Sequence, residues 1–165
     1  MSEDLDLLTA LDTFEESAWR LASHDLYEVP EDHASVDAWT RRGEFVAPAS
    51  DWPSLVQART STGRAMGRVQ VVTRPVSEYM AWRLSCYMLH SIAGEVVQLA
   101  YRDEMPADLA GIHEDFWVFD DRNVIVMDYD ERGALRGNHD DSTHLDRYLG
   151  LRERLIDACP QNLFW

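Results

Sequence analysis

The stretch from Arg68 to Tyr101 constrains the fold most. RVQVVT (68–73) is dense in β-branched residues and has the length of a strand. Pro75 and Ser77 then open a helix. Ser77 suits an N-cap, Met80, Leu84, Tyr87, Met88 and Ile92 supply one apolar face, and Gly94 marks the end. VVQLAY (96–101) returns as a strand. Strand, helix and strand in that order make a βαβ unit, because parallel neighbours need a long crossover between them. The expectation is an α/β domain with a mostly parallel sheet and a right-handed crossover.

The remaining segments arrange themselves around this unit. Leu7, Leu8, Leu11, Phe14, Ala18, Trp19 and Leu21 recur near helical spacing, and Glu3, Asp4 and Asp6 suit a first turn, so residues 4–22 read as a helix. LYEVP reads as a short strand stopped by Pro30. Residues 31–43 predict a helix closing on Gly43, and Asp51 with Pro53 opens another that runs to about Thr62. FWVF (116–119) and VIVM (124–127) predict a hairpin over Asp120, Asp121, Arg122 and Asn123. Residues 134–139 suit an edge strand, and Ser142 or Thr143 caps a last helix that Pro160 stops. On this reading residues 1–62 are a helical N-terminal arm. Residues 63–165 are the α/β core, with its βαβ unit and a C-terminal hairpin.

Charge narrows the function classes. The formal net charge is −15, and all 15 basic residues are Arg. Without Lys there is no Schiff base, no P-loop lysine and no HxK motif. So negative a chain repels nucleic acid and anionic membrane at long range and suits a basic partner. The charge is uneven. Residues 1–37 hold eleven acids and one Arg, Arg20, whereas 55–77 hold no acid and the arginines Arg59, Arg64, Arg68 and Arg74. No apolar run approaches the ~18 residues of a membrane span. The acidic start MSEDLDLLTALD lacks the basic region of a signal peptide, so a cytoplasmic protein is expected. Cys86 and Cys159 have no metal or redox spacing, and no disulfide between them is expected there.

Several constellations are chemistry-capable. His113, Asp115 and Asp120 form H-x-D-x4-D. This is similar to the H-x-K-x4-D motif of the phospholipase D superfamily, with an acid at the lysine position. The layout of residues 63–158 also resembles the phospholipase D-like domains fused to some bacterial transcriptional regulators. The matching pieces are GRVQVVT, the helix to Gly94, GEVVQL, Met105-Pro106, FDDRNVIVM and the helix from Ser142. That resemblance implies a phospholipase D-like fold without its phosphate-binding lysine. Over nearly the whole chain, FEESAWRL, YEVPED, RVQVVTRPVSEYMAWRL, AGEVVQL, DFWVFDDRNVIVMDYD and RYLGLRERL resemble an uncharacterised actinobacterial domain family of small acidic proteins. Many of its members are encoded beside a helix-turn-helix regulator. This second resemblance implies a regulatory neighbourhood and no known activity.

Arg68, Arg74 and Arg83 suit an anion site near the strand end of the βαβ unit, with Arg122 a further candidate. Tyr79, Trp82 and Trp117 read as core or stacking aromatics. His139, Asp141 and His144 are metal-capable, as are their neighbours Asp140 and Asp146, but their spacing matches no usual ligand set; the plainer reading is a polar loop capping a helix. Ser85, Cys86, His90 and Ser91 carry no nucleophile signature, and no GxGxxG or P-loop is present. Trp19, Trp39, Phe164 and Trp165 are candidate apolar anchors for a partner. The expectation is a non-enzymatic regulatory protein without a cofactor. It would act through a protein partner, plausibly a helix-turn-helix regulator, without binding nucleic acid itself. The alternative is a diverged phosphodiesterase-like enzyme or a nucleotide or anion sensor, possible as a homodimer.

Overall fold

In the computed structural model, which describes residues 6–159, the chain begins with helix α1 (Leu7–Thr13) and strand β1 (Ser17–Ala22). Then come α2 (His33–Arg42), α3 (Trp52–Thr60), β2 (Ala65–Val72), α4 (Glu78–Ala93) and β3 (Val96–Tyr101). The short α5 (Ala107–Ala110), β4 (Asp115–Phe119), β5 (Asn123–Tyr129), β6 (Leu135–Asp140) and α6 (Leu145–Ala158) complete it. The six strands form one sheet in the order β3-β2-β1-β4-β5-β6, so the described chain is a single α/β domain.

The βαβ unit forms as expected. β2 and β3 are parallel, joined by α4. Ser77 caps α4 by accepting the Met80 N–H through its hydroxyl, and Gly94 ends it at φ +115°, a backbone region open to glycine. The expectation of a mostly parallel sheet is corrected. β1 pairs β2 in parallel, but β1–β4, β4–β5 and β5–β6 are antiparallel. Short hairpin turns after β4 and β5 force antiparallel pairing, and only long crossovers permit the parallel kind.

The helical N-terminal arm is corrected as well. α1 stops at Thr13, and residues 17–22 are a strand near the centre of the sheet, between β2 and β4. The LYEVP segment forms no strand; a 3-10 turn at Pro30–Asp32 follows it.

Alternation along the strands gives the sheet two different faces. On one face Trp19, Leu21, Val69, Val71, Phe116, Val118 and Val124 pack with Leu109, Tyr148 and Leu155 of α5 and α6. The buried core on that face is built of apolar side chains. On the other, Ala18, Met66, Phe119 and Ile125 pack with Ala10 and Leu11 of α1, Phe14 and Val56 of α3. Beside this second cluster the same face carries Arg20, Arg68, Gln70 and Asp115, all on strands and mostly buried.

Candidate functional site

A cavity of about 320 Å³ lies over that polar stripe. Its floor is a row across three neighbouring strands. Arg20 is register-paired with Arg68 on one side and with Trp117 on the other, so all three side chains rise from the same face. One wall is a stripe of α4, where Arg83, Cys86 and His90 recur at three and seven residues. Val29, Glu31 and Asp32 form another wall. Pro48, Ala49, Ser50 and Trp52, from the α2–α3 connection and the start of α3, form the rim.

Three guanidinium groups from three elements therefore converge, and each is held differently. Arg68 is 2% exposed and donates through Nε to Glu95 Oε1 at 2.5 Å. Glu95, just beyond the α4 C-cap, also accepts from Trp52 Nε1 at 3.0 Å. His90 Nδ1 lies 3.0 Å from its other oxygen, at an angle too poor for a hydrogen bond. Arg20 donates through Nη2 to the Tyr129 hydroxyl at 2.9 Å and to Asp115 Oδ2 at 3.4 Å. Arg83 has the loosest carboxylate partner, Asp32 at 4.0 Å. The aromatic rings complete the enclosure. Arg20 lies over Tyr27 and Trp117, Arg68 over Trp52 and Tyr87, and Arg83 over Tyr27 and Tyr87, an arrangement that favours the cations.

Among the described residues, three buried nitrogens in the cavity lining lack a hydrogen-bond partner, His90 Nδ1 included. Arg20 Nε and Trp117 Nε1 are buried and have no hydrogen-bond partner among the described residues, and both residues line the cavity. Such orphans cost about 1–3 kcal/mol each, so they mark where an acceptor belongs.

The arginines govern the electrostatics around Tyr87. Burial alone would push the Tyr87 phenol up, yet Arg83, Arg68 and Arg20 together hold it below its ordinary value. Burial also opposes ionisation of Glu95, but Arg68, His90 and Trp52 outweigh it and bring its carboxyl down to about 2. His90 falls to about 4, mainly through burial, and is neutral at pH 7. Burial raises the Asp32 carboxyl against the pull of Arg83. Burial pushes the Cys86 thiol up to about 12, which leaves no thiolate for nucleophilic chemistry. The arrangement can hold an anion; it presents no activated nucleophile.

The residues expected from the sequence fall in several places. Arg68 and Arg83 meet in the cavity, but Arg74 lies outside it, forked onto Asp103 and Glu104, and Arg122 is exposed in the β4–β5 turn. His113 is exposed before β4, whereas Asp120 sits beyond the other end of that strand. Asp120 accepts the N–H groups of Glu15, Glu16 and Ser17. Asp115 is fully buried and accepts from Ser23, His24, Tyr27 and Arg20. The H-x-D-x4-D residues thus share no site, because seven residues of extended chain separate the outer two. His139 pairs with Asp128, and His144 with Asp141. Among the described residues no group of three or more His, Cys, Asp or Glu is placed to hold a metal ion. Trp19 is not a surface anchor; it packs in the core against Phe116. Trp39 is half-buried. Phe164 and Trp165 lie outside the described residues. Cys86 and Cys159 are free thiols.

Arg20, Trp52, Trp117 and Glu95 complete the site. Trp117 was legible only as an aromatic, and Arg20 had one signal: it is the lone Arg among eleven acids in residues 1–37, flanked by apolar residues. Among the described residues no helix is long and apolar enough to cross a membrane. No curated protein matches the chain. A family model described as a domain of unknown function, DUF6879, matches residues 5–164, and the chain belongs to that family.

Proposed function

We propose that this protein is a non-enzymatic regulatory module that takes a small anion in the arginine cavity and relays its presence to a protein partner. One observation carries the reading: Arg20 and Trp117, whose buried N–H groups have no partner among the described residues, line a cavity together with Arg68 and Arg83. Pockets with a few convergent polar groups in an otherwise aromatic lining are where small ligands bind. Thermal unfolding of the purified chain with acetate, sulfate, phosphate and AMP, at matched ionic strength, tests it. At least one anion should raise the Tm above the chloride control, and Arg83→Gln should reduce the gain. No specific stabilisation by any of the four removes the reading.

The partner side rests on charge. A net charge of −15 speeds encounter with a basic protein and makes the complex salt-sensitive. A helix-turn-helix regulator, bound in a cytoplasmic setting, is the partner this reading favours. Capture of such a regulator at low salt and its release at high salt would support it, and salt-independent capture would count against it. The likeness to phospholipase D-like domains enters only as layout. Separation of His113 from Asp120 speaks against phosphodiesterase chemistry.

A further inference from the structure

We infer that the anion is a small organic monocarboxylate with an apolar body, its carboxylate received by Arg20 Nε–H and Trp117 Nε1–H and its body laid toward Trp52; this rests on the anion-binding reading above. Four observations select that class.

The first is the number and kind of open donors. Three buried nitrogens of the cavity lining lack a hydrogen-bond partner among the described residues; His90 Nδ1 lies beside Glu95, and the N–H groups of Arg20 and Trp117 stand on strand positions that are direct register partners. The Arg20 guanidinium carbon is 5.7 Å from the centre of the Trp117 ring. Two adjacent N–H donors match the two oxygens of one carboxylate, and a donor from a guanidinium makes the bond charge-assisted. Trp117 is 2% exposed, so its N–H is out of reach of bulk water.

The second is charge. Glu95 occupies Arg68 at 2.5 Å. Arg20 and Arg83 keep only distant carboxylates, at 3.4 Å and 4.0 Å. Asp115, the nearer of those two acids, is already engaged by Ser23, His24 and Tyr27 at 2.6–2.8 Å. Arg20, Arg68 and Arg83 already face Asp115, Glu95 and Asp32, so the pocket is close to neutral, and with two of those pairs loose it tolerates at most one further negative charge. A phosphate dianion would bring a second one beside Asp32, Glu31 and the buried Glu95 and Asp115, where like charges repel strongly in a low dielectric.

The third is the lining beyond the floor. Val29, Pro48, Ala49 and Cys86 offer no strong hydrogen-bonding side chain, and Trp52 presents its indole while its N–H is spent on Glu95. An apolar body gains from contact there, whereas a second acid would meet the carboxylates of Glu31 and Asp32 on the wall. The fourth is size. About 320 Å³ is at the small end of ligand pockets, which suits an acid of roughly ten non-hydrogen atoms better than a nucleotide.

Isothermal titration of the full chain at constant ionic strength tests this. The probes are acetate, butyrate, benzoate and phenylacetate, the neutral amides of the last two, phenyl phosphate and AMP. Affinity should rise from acetate to the larger acids. Each amide should bind at least about tenfold more weakly than its acid, and phenyl phosphate should bind more weakly than benzoate. Trp117→Phe keeps the ring and removes the N–H; it should weaken the best acid by about tenfold while circular dichroism shows the fold retained. Should Trp117→Phe not fold, Arg83→Gln on the wall serves in its place, with a loss for acids and none for amides. Tighter binding of phenyl phosphate or AMP than of any monocarboxylate would overturn the carboxylate class and leave the anion reading standing. Equal binding of acid and amide would also overturn it. No binding by any probe would sink both.

Discussion

Arg68 and Glu95 show what a single residue does in this protein. Their side chains are 2% and 1% exposed and meet at 2.5 Å. Removing one partner of such a pair strands the other charge away from water. Arg68→Met should cost about 3–5 kcal/mol, whereas Arg68→Met with Glu95→Leu should cost far less than the two single changes summed. Urea denaturation of the three variants measures this, and simple additivity would show that the pair is not coupled. Asp120 works differently. Its carboxylate gathers three consecutive backbone N–H groups at the entry to β1. Burial opposes its ionisation, but those N–H groups hold its carboxyl below the usual range. Asp120→Ala should lower stability by about 2–3 kcal/mol and leave ligand affinity unchanged, since Asp120 lies outside the arginine cavity.

Between residues and whole molecule stand the turns. The β4–β5 hairpin closes through Asp120 and Asp121, both at positive φ, +54° and +51°. Two such residues in succession build the tight turn whose twist matches antiparallel strands, and Asp tolerates that region better than most residues. The β5–β6 turn has a stricter demand at Gly133. Its φ is +79°, and a Cβ there would fall 2.2 Å from the Leu26 carbonyl oxygen. The turn also accepts the Glu28 N–H through the Gly133 carbonyl, so it props the Leu26–Val29 segment that reaches the cavity. Gly133→Ala should therefore cost more than about 2 kcal/mol and weaken ligand binding as Val29 and Asp32 shift. Preserved binding in a destabilised Gly133→Ala protein would show that the two are independent.

At the scale of the molecule the buried polar face should make stability depend on acid. His90 has its pKa lowered from 6.5 to about 4, so between those values the unfolded chain binds a proton that the folded one does not. Glu95 is lowered from 4.5 to about 2, and the same imbalance continues down to that pH. Both contributions are fully present above pH 6.5 and are lost as pH falls, first through the His90 window and then through that of Glu95. The first step should amount to about 2–3 kcal/mol. Urea midpoints measured from pH 7.5 to 4 read it directly, and His90→Gln should flatten that part of the curve. An unchanged slope in His90→Gln would assign the loss elsewhere.

Much of the fold was legible in the chain, because local chemistry decides it. Ser77 and Gly94 bracket α4, β-branched runs make β2, β3 and β5, and turn acids close the hairpin, each through neighbours in sequence. The site was half legible. Arg68 and Arg83 stood out as cations of the βαβ unit, and Trp117 as an aromatic. The rest required the tertiary structure. Residues 17–22 continue the helical apolar spacing of α1 closely enough to hide a strand, and only pairing with β2 and β4 makes them one. That same pairing carries Arg20 between Arg68 and Trp117, residues 48 and 97 positions away. Propensity acts over a few residues, whereas the cavity depends on which strands become neighbours, and that is set by burying the apolar core of one sheet face under α5 and α6.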